Sequence, residues 1–195
     1  AAAPKRTLSD DVAAIGWACQ RYLEAGVTSA TDAWVEPGMP EAYIAADKGG
    51  VLTIDTNLFF LAQPDTWRSY SKDFVSFRSE IETLPRTSHL TAKTIKFICD
   101  GALSAGTAAL LEPYLDDPQS TGLLIWSEDE LIDAMVHFDA LGFQIHAHAI
   151  GDAAIRQALN AIEAVTKINP HWDRRPVIAH AQLIHPDDLS RFASL

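Results

Sequence analysis

Four short runs carry residue types that do chemistry. They are Lys96 and Asp100 in Ile95-Lys96-Phe97-Ile98-Cys99-Asp100-Gly101, His146 and His148 in Gln144-Ile145-His146-Ala147-His148-Ala149-Ile150-Gly151-Asp152, His180 closing Pro176-Val177-Ile178-Ala179-His180, and Asp32 after Thr28-Ser29-Ala30-Thr31. Side chains alternate across a strand, so His146 and His148 share one face while Ile145 and Ala147 share the other. Imidazoles on one face need partners, and the commonest that such a cluster serves is a transition metal. For His146 alone, a hydrogen-bonded core histidine explains the residue as well as a ligand does. For His148 and His180, each closing a strand, a metal or catalytic role is the stronger reading, because parallel barrels form their sites at the C-terminal ends of strands.

Lys96 stands between Ile95 and Phe97 in an apolar run. It either snorkels from a strand edge or is buried, and burial depresses the pKa of an ammonium and makes it nucleophilic. A nucleophilic lysine has two uses: a Schiff base with a carbonyl substrate, or reaction with carbon dioxide to a carbamate whose oxygens ligate metal.

Positioning these residues requires a repeated strand and helix pattern, and the chain has one. β-Branched runs at Val27 to Thr31, Val51 to Leu58, Thr94 to Cys99, Phe143 to His148 and Val177 to His180 read as strands of a parallel sheet wrapped by helices. Before the first, Val12, Ile15, Cys19, Tyr22 and Leu23 recur on one helical face, with Ser9 as the expected cap and Gly26 as the stop. Ser127 and Glu130 form a capping-box pattern ahead of Leu131, Met135 and Phe138, closed by Gly142. Further helices are expected over Asp152 to Ile168, Glu41 to Asp47 and Thr66 to Glu82. The connection from Gly101 to Trp126 is unusually long and rich in Gly, Pro and Asp, as loops that carry function often are.

Composition narrows the classes. Hydrophobic residues make up 48% of the 195 positions and charged ones 21%, which predicts a folded chain. With 26 acidic against 15 basic residues and a formal charge of -11, and with no basic stripe, nucleic acid is an unsuitable partner. No apolar run reaches the ~18 residues of a membrane span. Cys19 and Cys99 lie far apart and inside apolar elements, so they establish nothing about a disulfide or the redox compartment. The chain opens Ala-Ala-Ala without an initiator Met, which reads as a processed or excised piece. A cytoplasmic location is expected, with periplasmic and secreted ones left open.

The runs IKFICDG (Ile95 to Gly101), TAALLEP (Thr107 to Pro113), GFQIHAHAIGD (Gly142 to Asp152) and VIAHAQ (Val177 to Gln182) resemble the amidohydrolase superfamily, in particular its family-3 branch of N-acyl deacylase and exoenzyme-regulator-like proteins. Gly26-Val27-Thr28-Ser29 and Asp32 resemble the second strand of that branch. The resemblance implies an α/β fold, a partial TIM-type (β/α) barrel holding roughly strands two to six with their helices. It implies His148 and His180 as metal ligands of strands five and six, and Lys96 as the strand-four lysine, carbamylated in many binuclear members. Lys96 and Asp100 become the candidate catalytic residues, and His146 and Asp152 fall to a supporting shell or the substrate pocket. The cofactor implied is one or two divalent ions, zinc by preference, and the reaction is hydrolysis of a carbon-nitrogen bond in a small-molecule amide.

Two family features have no counterpart here: a His-x-His on the first strand and an aspartate on the eighth. Strands one, seven and eight, and a small β-sandwich, are therefore expected outside this chain, which is expected to be inactive by itself and to self-associate through open sheet edges. A Schiff-base lyase using Lys96 and a non-catalytic ligand-binding barrel remain the alternatives.

Overall fold

The structure, a computed structural model, describes residues 6–195, so the Ala-Ala-Ala start lies outside the described residues. Strands and helices alternate: α1 (Leu8–Glu24), β1 (Ser29–Val35), α2 (Pro40–Lys48), β2 (Asp55–Ala62), α3 (Trp67–Glu82), β3 (Leu90–Ile98), α4 (Glu128–Ala140), β4 (Gln144–Ala149), α5 (Asp152–Ile168), β5 (Val177–His180) and α6 (Arg191–Ser194). Hydrogen-bonded neighbours follow chain order, β1-β2-β3-β4-β5, and β1 with β2, β3 with β4 and β4 with β5 are parallel. Parallel neighbours need crossovers, which the intervening helices supply.

All five expected strands are present, and the three starts that shift by two or more residues have local causes. Val27 donates its N–H to Tyr22 O at 2.8 Å and Val51 to Ala46 O at 2.8 Å, so both residues finish the preceding helix instead of opening a strand. β3 starts at Leu90 because Leu90 and Ala92 are buried while Thr91 and Lys93 are exposed, an alternation without the apolar run that marks its second half.

By packing, the described residues form two units: those through Leu61 with Tyr70–Lys93, and Ala62–Ser69 with Thr94–Leu195. In the first, α1 packs with α2, Phe60 stacks on Phe74 at 4.9 Å, and Ile44, Leu58 and Ile81 are buried. The cap of α1 is Thr7 and not Ser9, which already lies inside the helix. Thr7 Oγ1 accepts the Asp10 N–H at 3.2 Å and the Thr7 N–H donates to Asp10 Oδ2 at 2.8 Å, a reciprocal box.

In the second unit α4 packs with α5, and Phe138 meets Phe97 and Phe143 edge-on at 6.3 and 6.0 Å. Each such fully buried side chain stabilises the fold by roughly 1.5–3 kcal/mol. Ser127 caps α4 as expected, accepting the Glu130 N–H at 3.3 Å, while the Glu130 carboxylate meets Arg68 at 3.2 Å. Gly142, at φ 77°, then turns the chain into β4. Between α5 and β5 the chain is pinned by buried Asp139, which accepts from Arg174 Nε at 2.8 Å, Trp172 Nε1 at 3.0 Å and Asn169 Nδ2 at 2.9 Å.

Candidate functional site

The site is built on one face of β3 and β4. Register pairs Thr94 with Gln144, Lys96 with His146 and Ile98 with His148. Along β4, Ile145, Ala147 and Ala149 are buried while Gln144, His146 and His148 keep partial exposure, so the alternation expected from the sequence holds. The result is a column of cross-strand polar pairs. Thr94 Oγ1 donates to Gln144 Oε1 at 3.1 Å, and one step on Lys96 Nζ lies 3.1 Å from His146 Nδ1.

Lys96 is 5% exposed, so it is buried and not a snorkelling edge residue. Loss of hydration pushes its ammonium below the ordinary lysine range. Burial, then the Lys96 charge, drives His146 down to about 4, so His146 is a neutral partner of the amine.

His148 and His180 come together, with ring centroids 4.6 Å apart and planes at 72°. Register alone would not achieve this, because β5 pairs His148 with Ala179 and His180 with Ala149, whose side chain is wholly buried on the opposite face. The backbone at His180 is left-handed, φ 74°, as is Ala181 at 43°. That turn at the strand tip brings the His180 ring to His148. Non-glycine residues adopt this conformation at a cost, which is a reason to look for function. Burial first, then the neighbouring His148 and Lys96, lowers the His180 pKa from its usual value.

His148 Nε2 lies 3.0 Å from the Gly101 carbonyl and 3.4 Å from Asp100 Oδ1. Both neighbours are acceptors, so Nε2 carries the proton, and Nδ1 makes no hydrogen bond among the described residues. A ligating histidine commonly donates its other ring N–H to a carbonyl or carboxylate in this way. Asp100 is completely buried and accepts the N–H groups of Ala109 at 3.0 Å, Ile150 at 3.0 Å and Gly151 at 2.8 Å. Asp152, in the first turn of α5, accepts the Leu111 N–H at 2.9 Å. Asp32 belongs to the first unit, where Tyr43 Oη donates to its Oδ2 at 2.6 Å and the Trp34 N–H to its Oδ1 at 3.1 Å.

As donors, the chain offers the His148 and His180 imidazoles with Lys96 on the same face as His148. Among the described residues no group of three or more His, Cys, Asp and Glu is arranged to hold an ion. The pair fits part of a metal shell, not a whole one. Sequence reasoning marked the Gly101 to Trp126 loop and the TAALLEP run within it, but missed the Gly101 carbonyl as the partner of His148. Gly101 and Gly151, flanking the two motifs, were the available signal: a Cβ at Gly151 would overlap the Ala109 carbonyl.

Comparison with known proteins gives the class. The structure of an uncharacterized metal-dependent hydrolase from Pyrococcus furiosus matches 97% of the chain with TM-score 0.79 and 26% identity, using 37% of that protein. The fold class is α/β, a partial TIM-type (β/α) barrel. The amidohydrolase family model matches residues 1–195, and the chain belongs to this family of hydrolases. Among relatives, it is 32% identical over 155 residues to Protein LONG AFTER FAR-RED 3 of Arabidopsis thaliana, covering 80% of this chain and 25% of that one. It is 33% identical over 107 residues to the exoenzymes regulatory protein AepA of Pectobacterium carotovorum subsp. carotovorum, covering 55% and 22%. The chain thus spans about a quarter of these relatives. Metal dependence is part of the description of the Pyrococcus furiosus protein.

Proposed function

We propose that this chain supplies the middle strands of a hydrolase acting on carbon-nitrogen bonds of small non-peptide amides, with His148 and His180 as ligands of a divalent ion. The observation carrying this is the 4.6 Å approach of the two rings, with His148 Nε2 occupied by Gly101. Imidazole and oxygen donors suit zinc, and a bound ion supplies Lewis acidity and an activated water. Lys96 is the proposed site of carbamate formation, its amine buried and held by His146. Two imidazoles and one lysine do not complete a metal shell, so the chain by itself is proposed to bind metal weakly and to turn nothing over.

The test is hydrolysis of a panel of N-acyl amides by the intact protein, stripped of metal and reloaded with zinc. Turnover that needs the ion and falls at least about 100-fold in His148→Ala supports the proposal. Full turnover without metal, or in His148→Ala, contradicts it. Burial of Lys96 also suits a Schiff-base lyase, for which borohydride trapping of a carbonyl substrate on Lys96 is the decisive result.

A further inference from the structure

Asp100 is a carboxylate at 0% exposure whose oxygens are taken by main-chain donors: Ala109 and Gly151 on Oδ2, Ile150 on Oδ1. A group so enclosed is poorly placed to exchange protons with substrate or water. Its bonds instead join three segments. These are the end of β3, the strap Thr107 to Leu111, and the turn from β4 into α5, whose N-terminus favours a negative charge. The strap is held on its other side as well, since Ala109 O accepts the Ala153 N–H at 3.1 Å and the Leu111 N–H reaches Asp152 at 2.9 Å. Gly101 donates its N–H to Thr107 O at 3.1 Å, and its own carbonyl is the acceptor for His148.

We propose that Asp100 is a positioning residue for His148. By tying the strap and the β4–α5 turn to the end of β3, and by setting its charge 3.4 Å from Nε2, it keeps the His148 proton on Nε2 and reserves Nδ1 for a ligand. Only that last clause rests on the hydrolase reading. Asp152 anchors the strap without touching the ring.

The test is nitrogen-15 NMR of the histidine rings in the metal-free chain, with amide hydrogen exchange. The wild-type chain is expected to show His148 in the Nε2–H tautomer alone. Asp100→Asn is expected to give mixed or Nδ1–H His148, and exchange at Ala109, Ile150 and Gly151 about tenfold faster or more. Asp152→Asn is expected to loosen the Leu111 amide and leave the His148 tautomer unchanged. A folded Asp100→Asn with His148 still wholly Nε2–H overturns the proposal, as does a tautomer change of equal size in Asp152→Asn. So does Nδ1–H His148 in the wild-type chain, a result that needs no variant to fold. No metal or turnover enters these readouts, so they stand or fall apart from the hydrolase reading.

Discussion

The imidazoles of His148 and His180 meet edge to face with centroids 4.6 Å apart, although His180 shares its register position with Ala149 and not with His148. The left-handed backbone at His180, φ 74°, reconciles the two facts. The first prediction follows from that dihedral. A β-branched residue tolerates positive φ poorly, whereas Asn and Gly accept it. His180→Val should be less stable than His180→Asn or His180→Gly by about 1–2 kcal/mol in urea unfolding. Equal stabilities would show that residue 180 is not left-handed in solution.

Asp139 and Arg174 make an ion pair at 2.8 Å with both side chains buried, and Trp172 and Asn169 complete the carboxylate. Removing Asp139 leaves the buried Arg174 guanidinium charged and without its counter-ion. Asp139→Ala should cost about 3–5 kcal/mol in denaturant unfolding. A loss under about 1 kcal/mol would mean that water replaces the carboxylate freely.

Gly151 is needed for contact and not for its dihedral, because its Cβ position is filled by the Ala109 carbonyl. In Gly151→Ala backbone must move, and overpacking of this kind costs about 1–3 kcal/mol. Differential scanning calorimetry should show the loss. An unchanged melting temperature would mean that the strap is not pressed against the turn.

Asp188 gives a pH dependence. Burial raises its carboxyl pKa, but hydrogen bonds from Arg191 and Arg156, at 3.0 and 2.8 Å, outweigh burial and hold it below 3.8. A folded pKa below the unfolded one means that the unfolded chain binds more protons, so this stabilisation is present above 3.8 and is lost as pH falls through the folded value. Asp188→Asn should therefore lose about 1–3 kcal/mol at neutral pH. The gap from wild type should close in strong acid. A gap that stays constant down to acid pH would contradict the account.

What was legible in the sequence follows from the range of the interactions involved. The Gln144 to Ala149 alternation is a period of two within six residues, so the face of His146 and His148 could be read directly. The choice between a snorkelling and a buried Lys96 depends on a strand 50 residues away, and only the structure makes it. The enclosure of Asp100 by main-chain donors leaves no local pattern, because those donors lie 9, 50 and 51 positions along the chain. The dihedral of His180 leaves no compositional trace, since left-handed positions advertise themselves only when filled by Gly or Asn. Residue type alone does not separate Ser9 from Thr7 as the cap of α1; spacing does, since Asp10 stands three residues after Thr7 and Val12 three after Ser9.

The central claim is that His148 and His180 hold one divalent ion together. Metal content of the intact protein by inductively coupled plasma mass spectrometry, for wild type, His148→Ala and His180→Ala after identical zinc loading and dialysis, tests it most directly. The account predicts one or two ions per chain in the wild type and the loss of at least one in each variant. Wild-type metal content in both variants would contradict it.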